Sequence, residues 1–164
     1  MIFEIDVSGE DILNSNYSIV VADKNNLIRG FKFTKELIEI LNSRKGEGKY
    51  RYNLSKQGKA FFRVRLYCII IYYIFKEINI FNKKEEIKLE ICRDFQGHEK
   101  DITSNLKSFL KDKLGLNILI NYVKLPEGSN ADKYAYIMRR DTKNIVKGYV
   151  KISLEDIEKY LIKK

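Results

Sequence analysis

The stretch from residue 55 to residue 79 constrains the fold of this chain most strongly, because its apolar residues face every side of the helix that it predicts. A strand is the alternative for residues 66–75, where β-branched and aromatic side chains dominate. The length of the whole stretch and its lack of internal breakers favour the helix. Residues 66–75 are also about half as long as a membrane span requires. We therefore expect a buried helix and no membrane partner.

Three strands are predicted before this helix. Residues 2–7 alternate polar and apolar side chains, and further apolar runs follow at residues 17–22 and 27–33, with turn residues between the last two. This spacing predicts an antiparallel meander. Thr34 is a suitable N-cap for a short helix that we expect to end in a loop at residues 42–48.

The second half of the chain predicts a crossover between two parallel strands. Residues 86–92 alternate as a strand, residues 97–113 follow a helical pattern that Gly115 terminates, and residues 116–125 form another apolar strand. A β–α–β unit of this length implies parallel strands. Three further elements are predicted after it, namely a helix at 131–140, a strand at 146–152 and a helix at 154–162.

The length and composition favour one domain over residues 1–164. The order of the predicted strands and helices indicates an α/β fold whose mixed sheet, three antiparallel strands followed by parallel ones, is flanked by helices. The chain has 31 Lys and Arg residues against 22 Asp and Glu residues, a formal net charge of +9. This balance favours a polyanionic partner. A lysine-rich surface that serves only solubility is the alternative, because total charge does not show where the charges cluster.

The cysteines and the N-terminal residues predict a reducing, cytoplasmic location. Cys68 and Cys92 each lie in an apolar run without a CxxC pair, so we expect two core thiols, neither a disulfide framework nor a zinc site. The first residues carry acids where a secretory signal would carry bases.

The densest cationic stretch lies between residues 44 and 65, where a single acid, Glu47, interrupts the basic residues. Aromatic side chains are interleaved with the cations, a combination that suits phosphate neutralisation and stacking on bases. The alternative is a solvated loop followed by a helix whose aromatic residues face the core. The candidate nucleic-acid-binding residues are Arg44, Lys45, Lys49, Arg51, Lys56, Lys59, Arg63 and Arg65.

Three aspartates stand out by their positions, one inside a predicted strand, one just after a strand and one at a helix start. Asp6 lies inside the first apolar strand, where a carboxylate is costly to bury unless it is paired or bound to a metal. Asp94 follows the strand at 86–92, and Asp132 begins the helix at 131–140. The last two could equally be ordinary helix-start acids that the helix dipole favours.

The sequence around these aspartates and the order of the elements resemble the ribonuclease H-like fold. Residues 3–9 place Asp6 in a first strand followed by small residues, residues 89–94 end a fourth strand at an aspartate, and residues 121–135 lead from a glycine-containing loop to Asn, Ala and Asp. The resemblance implies that Asp6, Asp94 and Asp132 are both catalytic residues and ligands of Mg²⁺ or Mn²⁺. Two such cations about 4 Å apart would need bridging and terminal carboxylates.

Two departures from that family pattern count against the expected nuclease chemistry. The helix before the fourth strand usually carries a glutamate, but residues 59–65 contain no acid, and Glu10, Glu36 and Glu99 are the remaining candidates. The usual histidine before the last acid is also missing, and the single histidine, His98, stands near Asp94 at another helix start.

Three functional hypotheses follow. The first is a metal-dependent nuclease that acts on phosphodiester bonds of DNA, RNA or a hybrid. The second keeps the fold and the basic groove in a noncatalytic nucleic-acid-binding or scaffolding module, as the missing helix glutamate would suggest. The third is a protein-interaction domain with incidental positive charge.

Overall fold

The fold was described from a computed structural model, which covers residues 1–80 and 84–162. Its five strands form one sheet in the order β3-β2-β1-β4-β5. The β1–β2 and β2–β3 pairs are antiparallel, whereas β1–β4 and β4–β5 are parallel. The predicted α/β class, with a mixed sheet flanked by helices, is therefore confirmed. The strands are β1 (Ile2–Ser8), β2 (Ser18–Ala22), β3 (Ile28–Lys32), β4 (Glu86–Cys92) and β5 (Asn117–Val123).

Strand alternation divides the side chains between two cores. In β2, Ile19 and Val21 belong to the main core, whereas Val20 and Ala22 belong to a smaller core on the opposite face. This follows from the two-residue period of a strand, which sends successive side chains to opposite faces. The same period gives β1 its apolar face and places Asp6 on the face of the smaller core.

The main core is built around the predicted buried helix, α2 (Lys56–Ile78). Its side chains between Leu66 and Tyr72 are all buried. Ser55 caps the helix by accepting a hydrogen bond from the Gly58 N–H, and Asn79 ends it in the left-handed conformation. No helix in the described part of the chain combines the length and apolar character of a membrane span.

Two further helical segments accompany α2 in the main core. The predicted helix at 97–113 begins at Glu99 and changes type along its length, from α3 (Glu99–Leu106) to a π-helix (Lys107–Lys113). Ile102, Leu106 and Phe109 are buried as their spacing predicted. The positive φ of Gly115 allows the chain to turn into β5.

The smaller core lies between the sheet and α4 (Asn130–Arg140). Ala131 and Ala135 are four residues apart and so share one face of the helix, which lets its backbone approach the strands closely. Ser18 of β2 donates a hydrogen bond to the Ala135 carbonyl. This packing fixes the start of α4, and therefore Asp132, relative to β1 and β2.

Two further predicted boundaries, besides the start of α3, were wrong, and one predicted strand is absent. The first helix, α1 (Lys35–Gly46), has Thr34 as its N-cap but runs into the expected loop, and α5 (Leu154–Glu158) is shorter than expected. Residues 146–152 make only an isolated bridge, between Tyr149 and Gly30. Gly148 has a φ of +105°, and this conformation interrupts the extended backbone that a strand would need.

The close contact at the start of α2 yields a stability prediction. Replacing a helical glycine by alanine normally stabilises a protein by about 0.5–1 kcal/mol. At Gly58, however, a Cβ atom would lie 2.4 Å from the Asn53 carbonyl oxygen. We expect Gly58→Ala to lower the free energy of unfolding by about 1–3 kcal/mol in urea titrations, because backbone atoms must move apart.

Gly46→Ala is the matched control, since no heavy atom lies within 4 Å of the Cβ position in that helical glycine. Gly46→Ala should leave the free energy of unfolding unchanged or raise it. Equal stability of the two variants would show that Gly58 is not confined by Asn53.

Candidate functional site

The parallel pairing of β1 with β4 brings three potential metal ligands together. Ile5 lies opposite Ile91 in this pair, so the next residues, Asp6 and Cys92, lie side by side at the carboxyl ends of their strands. Asp94 follows two residues later and turns back through a hydrogen bond from its N–H to the Cys92 carbonyl, 2.9 Å. One ligand atom from each of Asp6, Cys92 and Asp94 lies within 4.8 Å of the other two.

Asp6 is buried, and no cationic side chain within the described residues forms an ion pair with it. Only 6% of the residue is exposed, and its carboxylate accepts a hydrogen bond of 2.8 Å from the Val7 N–H. Burial raises the pKa of Asp6, and the neighbouring charge of Asp132 adds to this effect. A carboxylate in such a position is stabilised by a bound cation.

Asp94 and Cys92 hold their protons more firmly than isolated groups do. Desolvation by the atoms packed around its carboxyl group, together with the charge of Asp6, raises the pKa of Asp94 to about 6. The residue as a whole is nevertheless exposed to solvent. Burial and the charges of Asp94 and Asp6 raise the pKa of the Cys92 thiol to about 12. At neutral pH Cys92 is therefore a thiol, and Asp6 and Asp94 supply the charged oxygen ligands.

Asp132 approaches Asp6 from the N-terminus of α4. Ser129 caps this helix by accepting a hydrogen bond from the Asp132 N–H, and the Asp132 carboxylate accepts one from the Gly128 N–H, 3.0 Å. Its side chain is close enough to Asp6 to raise the pKa of that residue. Asp132 does not belong to the compact group of three ligand atoms.

A cavity of about 250 Å³ opens beside Asp94. Arg63 reaches it from α2 and binds both carboxylate oxygens of Asp11, with contacts of 3.1 and 3.2 Å. The cavity therefore combines acidic groups with one guanidinium that an acid already neutralises. Its lining consists of Gly9, Glu10, Asp11, Ile12, Tyr17, Arg63, Asp94 and Phe95.

Among the three glutamates considered as replacements for the missing helix acid, only Glu10 lines this cavity. Glu36 lies in the first turn of α1, and Glu99 begins α3. His98 occupies the N-cap position of α3 without making a side-chain capping bond. The described geometry thus favours Glu10 over Glu36 and Glu99 as an additional acid near Asp94.

Cys92 and Tyr17 were not anticipated from the sequence. Cys68 is buried as expected, and Cys92 is half-buried and packs against the smaller core, on the same face of the sheet as Asp6. The two-residue alternation of β4 predicts this orientation of Cys92, opposite to that of Ile91. Tyr17 contributes a buried ring, and burial together with the charge of Asp94 raises the pKa of its hydroxyl. Nothing in the local sequence marks Tyr17 as a site residue.

The eight predicted nucleic-acid-binding residues do not form one continuous group. Arg44 binds the buried carboxylate of Glu158, and Lys49 pairs with Glu47, 3.3 Å away. Arg51 and Arg65 line a separate cavity. These four residues are thus directed away from the acidic site.

The remaining four basic residues occupy α1 and the first half of α2. Burial lowers the pKa of Lys45, and the positive charges of Arg63 and Lys59 lower it further, so these three cations are close neighbours. Lys56 is exposed in the first turn of α2. Lys45, Lys59 and Arg63 form the cationic group next to the cavity at Asp94.

Comparison of the chain with family models, with curated proteins and with solved structures gives no match. The site itself is therefore the basis on which a function can be assigned. Within the described residues, two acidic groups are held together without a cationic ion-pair partner, next to a third acid and a cavity that one arginine, Arg63, reaches. This arrangement can bind a hard divalent cation and place a negatively charged ligand beside it.

The raised pKa of Asp94 predicts how stability depends on pH without metal. Its folded-state pKa of about 6 exceeds the ordinary value of 3.8. The protonated Asp94 carboxyl therefore adds to the free energy of unfolding. This contribution is fully present below pH 3.8 and is lost as the pH rises through about 6. We expect Asp94→Asn to raise the melting temperature in EDTA, by more at about pH 7.5 than at about pH 4.5.

Asp112→Asn serves as the control, because Asp112 is an exposed acid of the π-helix outside this site. Its melting temperature should follow the wild-type curve across the same pH range. A constant difference between Asp94→Asn and wild type at every pH would contradict the proposed electrostatic coupling of Asp94 to Asp6.

Proposed function

We propose that this chain is a metal-dependent nuclease of the ribonuclease H-like type, which binds Mg²⁺ or Mn²⁺ at Asp6 and Asp94. The observation that carries the proposal is the convergence of these two carboxylates at the ends of adjacent parallel strands, where no cationic side chain within the described residues pairs with them. The neighbouring position of β1 and β4 agrees with the arrangement that the resemblance implies.

The donor set fits a hard cation better than a soft one. Carboxylate oxygens are the preferred ligands of Mg²⁺ and Mn²⁺, whereas the third nearby group, the Cys92 thiol, keeps its proton at neutral pH because its pKa is about 12. Asp132 on one side of Asp6, and Glu10 in the cavity beside Asp94, would supply carboxylates for a second cation. A bound divalent cation would supply an activated water and stabilise the charge that develops on the phosphate.

The residues around the cation site would orient the nucleic acid. Of the cationic group, the exposed Lys59 and the half-buried Arg63 can neutralise phosphates of an approaching strand, whereas Lys45 is buried over the Phe62 ring. Arg63 is held in place by Asp11, so it offers a positioned guanidinium with part of its charge already compensated. The two free thiols support a reducing, cytoplasmic location for this activity.

The second candidate function is a noncatalytic nucleic-acid-binding module. The first half of α2 favours it, since that helix extends a basic side chain, Arg63, into the cavity and carries no acid between Lys56 and Leu66. An assay for metal-dependent cleavage distinguishes the two candidate functions, because only the nuclease would cleave a substrate.

Asp6→Asn tests the metal site directly. The amide keeps the shape of the carboxyl group but cannot bind a divalent cation as a carboxylate does, so cleavage with Mn²⁺ should fall at least about 100-fold. Mn²⁺ should also raise the melting temperature of the wild type by several degrees and leave that of Asp6→Asn unchanged. Asp112→Asn, outside the site, should behave as the wild type in both assays.

Labelled single-stranded DNA, single-stranded RNA, duplexes and an RNA–DNA hybrid should be assayed in parallel. If the wild type cuts none of them and its melting temperature ignores both Mn²⁺ and Mg²⁺, the nuclease proposal is wrong. Binding of the same substrates without cleavage would support the noncatalytic module instead.

The cationic group predicts a measurable salt dependence. Replacing Lys59 and Arg63 by Gln removes up to two phosphate contacts. Because Asp11 already compensates part of the Arg63 charge, the slope of log K against log salt concentration for a single strand should become shallower by about 0.7 to 1.4. Lys143→Gln with Lys151→Gln is the matched control, because both lysines are exposed and lie outside the cation group. An equal slope in both double variants would exclude Lys59 and Arg63 from the binding surface.

A further inference from the structure

A second cavity, which unlike the first is basic, lies between the segment that precedes α2, the middle of α2, the π-helix and the C-terminal residues. Its volume is about 550 Å³, and none of the residues that line it is acidic. The cavity shares no lining residue with the one at Asp94. The polar and charged groups in its wall are Arg51, Arg65, Ser108, Lys113, Lys159 and Tyr160.

Two guanidinium groups of this cavity meet at one carbonyl oxygen. The Tyr160 carbonyl accepts hydrogen bonds from Nε of Arg65, at 3.1 Å, and from Nη2 of Arg51, at 3.4 Å. Asn105 accepts a third bond, of 2.6 Å, from Nη1 of Arg65, whose guanidinium lies 4.6 Å from the centre of the Phe109 ring. Burial and the nearby charge of Arg51 lower the pKa of Arg65. Two like charges are thus held close together by neutral groups.

Two lysines complete the positive wall. The ammonium groups of Lys113 and Lys159 lie 5.2 and 5.5 Å from the centre of the Tyr160 ring. Within the described residues, neither these lysines nor Arg51 and Arg65 form a salt bridge. Elsewhere in the described chain acids pair directly with arginines, as Glu77 does with Arg29, Glu158 with Arg44 and Asp11 with Arg63. Here the acid whose charge reaches Arg65, Asp101, forms no ion pair with it and instead accepts a hydrogen bond of 3.1 Å from the Asn105 side chain.

The π-helix shapes one side of this wall. Residues five apart would be separated by about 140° around an α-helix, which has 3.6 residues per turn. The wider turn of a π-helix, with bonds between residues five apart, brings such residues to nearly the same side. Ser108 and Lys113 are five apart and both line the cavity. The change of helix type within 99–113 therefore places a hydroxyl and an ammonium group together.

We propose that this cavity is a phosphate-binding site, which takes the phosphate groups of a nucleotide or of a nucleic-acid strand. Arginine offers paired N–H donors that match phosphate oxygens, lysine adds compact charge, and a hydroxyl can donate a further hydrogen bond. A volume of about 550 Å³ lies within the range of small-molecule pockets and is larger than one phosphate group requires. The bound anion would relieve the repulsion between the guanidinium groups.

This site is independent of the metal chemistry. Arg63 and Arg65 are two positions apart on α2, so they point about 160° away from each other around the helix, one toward Asp11 and the other toward Tyr160. The phosphate site requires no divalent cation, and its test is made in EDTA. A failure of the nuclease proposal would leave it unaffected.

The test compares charge reversal inside and outside the cavity. Lys113→Glu with Lys159→Glu changes two exposed side chains whose only described contacts are with the Tyr160 ring. Lys143→Glu with Lys151→Glu makes the same change in net charge on exposed lysines elsewhere. Calorimetric titration with pyrophosphate and ATP should show binding to the wild type, an affinity at least about tenfold lower in the first variant, and a change below about threefold in the control.

Competition identifies the source of the phosphate. A 12-nucleotide single strand that displaces ATP, and that loses affinity in the cavity variant, would assign the site to a nucleic-acid backbone. ATP binding that the strand does not displace would assign it to a free nucleotide. Either result supports the phosphate site, provided that circular dichroism and the melting temperature show a folded variant.

Lys113→Ala with Lys159→Ala repeats the measurement with a milder change, in case charge reversal disturbs the fold. If neither double variant weakens pyrophosphate, ATP or oligonucleotide binding more than the control does, the cavity is not a phosphate site. Absence of binding to the wild type would overturn the proposal equally.

Discussion

The parallel pairing of β1 with β4 at the centre of the sheet is the constraint on which both the fold and the site depend. It joins the N-terminal meander to the later crossover unit and makes one sheet from five strands. It also sets the register, with Ile5 opposite Ile91, that turns the apolar residues of both strands toward α2. The same register turns Asp6 and Cys92 to the opposite face. Core formation and the approach of the acids are thus two consequences of one strand pairing.

This arrangement has a cost that the rest of the core must offset. Asp6 is buried beside Asp94 and near Asp132, and like charges in a partly desolvated site repel each other. The buried helix α2 and the closely packed α4 hold the two sides of the sheet in place against this repulsion. Acids that form no ion pair with any cation of the described chain, and that are maintained in such a position, are typical of a binding or catalytic site rather than of a structural ion pair.

The sequence predicted those parts of the fold that local periodicity determines. The three antiparallel strands, α2 and the parallel crossover each carry a clear two-residue or helical pattern, and all of them are present. The segment at 146–152 shows where this reasoning fails, because Gly148 approaches the Ile28 carbonyl so closely that a Cβ atom would lie 2.6 Å from it. Such a constraint comes from a distant part of the chain. The residues that neighbour Gly148 in the sequence therefore do not predict it.

The same distinction applies to the sites. That Asp6 and Asp94 meet was predicted by the resemblance to the ribonuclease H-like fold and not by the local pattern around either residue. Tyr17 lies at the cavity beside Asp94 through a turn whose geometry the sequence does not specify. The cationic residues are the clearest case. Arg63 and Arg65 belong to one basic run, yet the helical turn between them sends one to an acid and the other to a carbonyl that already accepts Arg51. If these cations served only solubility, they would be expected to lie apart from one another in solvent. Arg51 and Arg65 instead donate hydrogen bonds to the same carbonyl oxygen. This arrangement favours a specific anionic ligand over a general role in solubility.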